Sequence, residues 1–315
     1  MIDTIAASFT TKDISKTIEE FKGQTKITKF NDEADKYTFK VENLTVQIIV
    51  SKKTALHEVS IAGSLNKFIH GNNIKSCTRL EIKKALKKLK RKLKLSIKNA
   101  DLNRIDIGRT FIMDFEPSLY HLKLSEVRRY KKSMIKNYET TYFEVNKRLL
   151  IFYDKKEEAP SDVIPPDLIF NKLLRYEFRL LSRKSISKQL GKTNVKLKDL
   201  YNKRFYKILL NKYKEEYFKV ITNPNPILTI KPNVKANVKL LTDLLSMHGI
   251  NQLGGVNEVI AMIDKLCKQH NIKGTSKQRL KAKLYQIADN KELLDTDDLI
   301  EELSRKVKRS VEFML

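Results

Sequence analysis

Apolar and polar residues alternate in short runs through the first sixty positions. Met1 to Phe9 carries Ile2, Ile5 and Ala7. Tyr37 to Val41 and Leu44 to Val50 alternate with turn residues between them, so residues 1–60 read as strands. Gly63 to Asn73, bounded by Gly and Asn, reads as a loop. The period then changes. Ile82, Ala85, Leu86, Leu89, Leu93 and Ile97 fall at helical spacing and form one apolar stripe, predicting a helix from Glu81 to about Leu95. Asn99 to Asn103 reads as a turn, Arg104 to Phe111 as a strand and Ser118 to Ile135 as a helix. Thr140 to Tyr142 and Arg148 to Tyr153 read as a hairpin with Val145-Asn146-Lys147 at its tip.

A charged, proline-capped break at Lys155 to Ser161 precedes a strand over Leu173 to Leu180 and helices over Ser185 to Leu190 and Leu197 to Phe218. Prolines at 224, 226 and 232 mark a linker. The expected organisation is a domain over residues 1–220, a linker over 221–236 and a helical module over 237–315, with helices at Val256 to Gln269, Ser276 to Asp289 and Asp297 to Lys308. The fold class is α+β: a mostly antiparallel sheet covered by helices, arranged as two pseudo-equivalent halves, then the helical module. No repeat is visible in the sequence itself.

Length and charge narrow the function. The 315 residues suffice for about two domains at roughly 150 residues each. A formal net charge of +26 is costly in self-repulsion and points to a polyanionic partner. A compositional bias toward Lys, Ile and Asn is the plainer source of the same surplus. No apolar run is long enough to span a bilayer, and the N-terminus does not read as a signal peptide. Two distant cysteines, Cys77 and Cys267, suggest a reducing compartment, and the expected location is a bacterial cytoplasm. Neither phosphate-cradling glycine motif occurs, which argues against an NTPase or a dinucleotide enzyme. On the 81–98 helix, Lys83, Lys84, Lys87, Lys88, Arg91 and Lys92 surround the stripe. Core packing with DNA contact is favoured there over a membrane surface. Arg128, Arg129, Lys131 and Lys132 form a second basic run expected on phosphates.

The strands hold the candidate chemistry. Asp106 and Glu177 each follow an arginine by two positions, Arg104 and Arg175, so each acid shares a strand face with a guanidinium. If these strands neighbour Leu149 to Tyr153, two carboxylates and a tyrosine hydroxyl converge. The carboxylates suit Mg²⁺ or Mn²⁺, with His57 as a third candidate ligand. Tyr153 is then a nucleophile toward a phosphodiester, with Lys155 and Arg175 neutralising charge. Structural Arg–acid bridges on a half-exposed face are the alternative.

The order of these segments resembles the gene II replication initiators of filamentous phages. The matching stretches are Met1-Ile2-Asp3, Ser64 to Ile74, Asn103 to Phe111, Thr140 to Glu158 with its Tyr153-Asp154-Lys155, and Leu173 to Leu180 followed by Leu190-Gly191. Staphylococcal-type rolling-circle plasmid initiators share a similar order. The resemblance covers roughly residues 1–210. It implies a site-specific, metal-dependent nickase acting on single- and double-stranded origin DNA, with Tyr153 as nucleophile and Asp106 and Glu177 as acids. It departs at Gly71-Asn72-Asn73, where the family often has Gly-His-Asn. Host helicase and polymerase are the implied partners, and a homodimer is compatible with this reading. A non-catalytic origin or single-strand binder on the same scaffold is the competing function. Tyr138 and Tyr142 are competing tyrosines.

Overall fold

A computed structural model describes the chain except residues 125–126, 128, 136–138, 159–163, 221–228, 231–234, 236, 254, 289, 291–292, 295 and 315. The strands are β1 (Ile2–Thr11), β2 (Lys26–Asn31), β3 (Ala34–Val41), β4 (Leu44–Ser51), β5 (His57–Ser64), β6 (Asp101–Met113), β7 (Lys131–Ile135), β8 (Thr140–Val145), β9 (Arg148–Asp154) and β10 (Lys172–Leu180). Among the described residues these form one sheet in the order β2-β3-β4-β5-β1-β6-β10-β9-β8-β7, antiparallel at every pairing. The α+β expectation holds.

The sheet is two copies of one plan. The first half runs β1, helix α1 (Ser15–Glu20), β2 to β5, then helices α2 (Leu65–His70) and α3 (Arg79–Leu93). The second runs β6, helix α4 (Pro117–His121), β7 to β10 interrupted by the short helix α5 (Lys155–Glu158), then α6 (Arg183–Leu190) and α7 (Lys203–Phe218). The halves meet where β1 pairs with β6, Ile5 opposite Ile105. Local devices repeat too. The β3–β4 and β8–β9 hairpins each close on two residues, the first left-handed, with φ 57° at Glu42 and 54° at Asn146. Each following helix starts on a serine cap, Ser64 or Ser182, that accepts a bond from the backbone three residues on. Each ends on a left-handed glycine, Gly71 or Gly191.

Period-two alternation sorts β10 into two faces. Tyr176 and Phe178 point to the helical side, where Phe152 stacks on Tyr176 at 4.6 Å and Tyr213 of α7 lies 4.5 Å from Tyr176. Arg175, Glu177 and Arg179 point the other way. The apolar stripe of α3 is a core-facing side: Ile82, Ala85, Leu86, Leu89 and Leu93 are buried, with lysines outward. That burial leaves no apolar face for a membrane surface.

Several expectations needed correcting. The 118–135 stretch is not one helix. It stops after His121, Arg129 takes a left-handed φ of 76°, and Lys131–Ile135 pairs with β8 as the edge strand β7. Cross-strand pairing outweighs helical propensity there. The 63–73 segment is not a loop throughout, because β5 runs to Ser64 and α2 follows directly. The turn expected at 99–103 yields to β6, which begins at Asp101. Residues 197–201 form a 3₁₀ turn before α7.

The chain divides into two compact units. One comprises residues 1–121, 126–220 and 305–315; the other comprises 122–125 and 221–304. The second holds helices α8 (Val238–Gln252), α9 (Val256–Gln269) and α10 (Gly274–Ala288), with a short pairing of β11 (Thr229–Ile230) and β12 (Leu293–Leu294). The last helix, α11 (Thr296–Met314), contributes its final turns to the first unit, where Lys306 Nζ donates to the Ile112 carbonyl at 2.5 Å.

Candidate active site

Strands β6, β10 and β9 are consecutive neighbours, so the residues singled out on them converge. Tyr153 lies opposite Arg175 in the β9–β10 register. Its Oη donates to Glu177 Oε1 at 2.9 Å. Glu177 also accepts from Arg175 Nε at 2.6 Å and from Arg179 Nη2 at 2.6 Å. Arg179 reaches on to Asp106, 3.6 Å away, while Arg104 grips Asp106 with two bonds of 2.9 and 2.7 Å. Tyr153, Glu177 and Asp106 thus sit in one chain of contacts on one sheet face. They border a cleft of about 360 Å³.

The first half supplies the opposite wall. Asp3, on β1, accepts from Arg175 Nη2 at 2.5 Å and from Ser64 Oγ at 2.5 Å. Asn43, in the β3–β4 turn, donates to the Ser64 carbonyl at 2.9 Å, and exposed Lys67 in the first turn of α2 lines the same cleft. Gly108 on β6 makes room for this packing: a Cβ there would stand 2.8 Å from Glu177 Cγ and 3.1 Å from Arg175 Nη2.

Burial sets the protonation states. Desolvation pushes the Tyr153 hydroxyl far above the ordinary phenol range, against the pull of Arg175. It also raises Asp106, opposed by Arg104 and Arg179. Glu177 is equally desolvated, but the flanking guanidinium groups of Arg175 and Arg179 win and hold its carboxyl below the usual range.

The remaining expected residues fall into three groups. Arg175 is fully buried and committed to Asp3, Glu177 and the Asn73 carbonyl, so it does not face DNA as expected. Lys155 is also buried and pairs with Glu158, and its ammonium lies 5.7 Å from the Tyr153 ring centre. Desolvation lowers its pKa. His57 opens β5 opposite Thr11, seven residues from Ser64, which is about 23 Å of strand; the structure does not bring it to the cleft. On α3, Lys83, Lys84, Lys87, Arg91 and Lys92 are exposed, while Lys88 and Lys92 pair with Glu42. Arg129 and Lys131 are exposed beside β7, and Lys132 is half-buried, 5.9 Å from the Phe143 ring. Arg128 and Tyr138 lie outside the described residues.

Asp3, Ser64, Lys67 and Arg179 carry parts of this site without having been singled out for it. Arg179 had a signal, since Arg175-x-Glu177-x-Arg179 puts all three on one strand face. Asp3 and Ser64 lie in stretches that carry the family resemblance, but their place in the site comes from the sheet order that brings β1 alongside.

A divalent cation is implied by the resemblance, and the carboxylates present do not fit one. Asp106 is clasped by Arg104, Glu177 by two guanidinium groups and a phenol, and Asp3 by Arg175 and Ser64. Among the described residues no three His, Cys, Asp or Glu side chains are gathered for a metal. Glu158, the fourth carboxylate lining the cleft, pairs with Lys155, so every cleft carboxylate already faces a cation.

The family match below places the chain in the class of phage DNA replication initiators of the rolling-circle type, proteins that act on origin DNA. The family model described as the N-terminal part of the replication-associated protein, gene II type, matches residues 1–203, and the chain belongs to that family. No curated protein matches the chain. Among solved structures, the di-domain aromatase/cyclase StfQ from the steffimycin biosynthetic pathway aligns at 8% identity and a TM-score of 0.20, over 69% of this chain and 97% of its own. Among the described residues no helix is long and apolar enough to cross a membrane.

Proposed function

We propose that the cleft cuts and rejoins one strand of origin DNA through a covalent link to Tyr153. The Tyr153 Oη forms a bond to the scissile phosphorus as the bond to the 3′ oxygen breaks. The hydrogen bond to Glu177 orients the Tyr153 hydroxyl, and the phenolic proton passes by way of solvent to the departing 3′ oxygen. The freed 3′-hydroxyl serves as a primer for a host polymerase, and the reverse reaction reseals the strand. Arg104 and Arg179, with side chains 38% and 28% exposed, are the cations placed to meet the phosphate oxygens. Lys67 adds a third charge at the rim. Lys155 acts on the ring of the nucleophile rather than on the phosphate, given its burial.

The observation that carries this reading is the 2.9 Å bond from Tyr153 to a carboxylate flanked by guanidinium groups, in a cleft of a basic protein. Nicking of a supercoiled plasmid bearing the cognate origin tests it. Tyr153→Phe is expected to retain origin binding while losing both nicking and the protein–DNA adduct on a denaturing gel. Undiminished nicking by that variant would remove Tyr153 from the mechanism. Loss of neither binding nor adduct in Arg179→Ala would remove the guanidinium from it.

A further inference from the structure

A second cleft, of about 420 Å³, lies at the far end of β9 from Tyr153. It is built from the same three parts as the first-half wall of the active cleft. The two-residue hairpin turn Asn146-Lys147 stands where Glu42-Asn43 stands. The helix cap Ser182 stands where Ser64 stands. The first turn of α6, with Lys184 and Ser185, stands where Lys67 stands. The turn is bound to its cap segment in both halves, by the Leu181 N–H to the Lys147 carbonyl at 2.9 Å here and by Asn43 to the Ser64 carbonyl there.

The chemistry differs. Lys147, Lys184 and Lys188 supply three positive charges, Arg148 lines the cleft while facing the buried Glu216 at 3.9 Å, and no acidic side chain is among the described residues lining the cleft. Lys147, Lys184 and Lys188 are exposed. Ser185 Oγ is buried without a hydrogen-bond partner, and Ser182 caps α6, whose N-terminal end favours anions. Glu216 and Tyr130 stand behind Arg148, hydrogen-bonded to each other, and neither lines the cleft, so the cleft has a grip and no chemistry.

We propose that this cleft binds the phosphate backbone of the origin duplex away from the cut. Arg148 and Tyr153 stand five residues apart on β9, about 17 Å, the rise of roughly five base pairs. A duplex phosphate held here fixes the helix relative to the scissile bond. The inference rests on DNA being the substrate of the Tyr153 site, and the two fail differently.

The test uses the full chain with Lys147, Lys184 and Lys188 all changed to Ala. Affinity for duplex DNA of unrelated sequence is followed by fluorescence anisotropy across a salt series. The expected result is at least about tenfold weaker binding and a salt slope shallower by about two to three, since each phosphate contact contributes close to 0.9. A control removing Lys12, Lys16 and Lys22, three lysines elsewhere, is expected to change the slope by less than one such contact. Adduct formation with a short single-stranded origin oligonucleotide is expected to be unchanged in the triple variant. Tyr153→Phe is expected to do the reverse. Unchanged duplex affinity and slope in the triple variant, or equal losses in the control, would overturn the second site. A competition by inorganic phosphate that the triple variant loses, without any loss of duplex binding, would also overturn it, leaving a small-anion pocket instead.

Discussion

Arg175 is the residue on which the cleft is assembled. Its guanidinium joins Asp3 of the first half to Glu177 of the second, fully out of water. A buried pair contributes little net stability, but removing one partner strands the other charges. Arg175→Met is therefore expected to cost about 3–5 kcal/mol by chemical denaturation. Gly108→Ala tests placement rather than charge. The added methyl displaces Glu177 and its bond to Tyr153, with an expected stability loss of about 1–3 kcal/mol and a fall in nicking of about a hundredfold. His121 gives the protein an acid-sensitive point. It is buried, its Nδ1 lies 2.8 Å from Thr141 Oγ1, and desolvation lowers its pKa to about 4. The unfolded chain takes up that proton near pH 6.5 and the folded chain does not, so stability falls as pH drops from about 6.5 toward 4. At 1.36 kcal/mol per unit the loss approaches about 3 kcal/mol. His121→Phe is expected to flatten that part of the urea-midpoint profile. Glu177 has a depressed pKa, so its contribution is present above the ordinary carboxylate range and disappears only at lower pH, as the pH falls through the folded value. The pairing of Tyr153 with two strand acids was legible from spacing, because a period of two and an Arg-x-acid pattern dictate a shared face. Asp3 and Ser64 were not, because their approach depends on β1 lying between β5 and β6, which no local pattern encodes.

Among the elements, α3 separates packing from binding on one helix. Its inward side carries Leu86 and Leu89, and its outward side carries Lys84, Lys87 and Arg91. Leu89→Ala is expected to cost about 2–5 kcal/mol. Removing Lys84, Lys87 and Arg91 together is expected to leave the denaturation midpoint near its original value while reducing the salt slope of DNA binding. The helix was readable because its apolar stripe keeps a strict helical period, while its start lies two residues before the expected Glu81, where a Thr78–Glu81 capping box sets it. The edge strand β7 was not readable. Its Lys131-Lys132-Ser133-Met134-Ile135 has no buried face to impose alternation, and all but Lys132 are exposed. Its structure comes from pairing with β8, which sequence periodicity does not report.

For the molecule as a whole, the surplus of +26 is accentuated at the surface by a few acids drawn inward. Asp3, Asp106, Glu177 and Glu216 are all buried against cations or phenols, leaving the periphery more basic than composition implies. The closing turns of α11 bury Val307 and Val311 in the first unit. Ending the chain after Ser304 is expected to lower the melting temperature of that unit by several degrees, at about 2–4 °C per kcal/mol, in a thermal scan. The expected two-half plan is present without any visible sequence repeat, because equivalent positions share backbone roles and not side chains. Serine caps and two-residue turns recur, but the residues between them were free to diverge.

That divergence bears on the cleavage proposed above. Counting from the equivalent closing pairs Val41–Leu44 and Val145–Arg148, Tyr153 of β9 corresponds to Ile49 of β4. Through the neighbouring registers Glu177 corresponds to Ser60, and Asp106 to Ala6. A nuclease made of two identical subunits around a dyad delivers a scission to each antiparallel strand. This chain holds both halves in a single polypeptide with a tyrosine-and-acid set in one of them, so the cleavage proposed above would fall on a single strand.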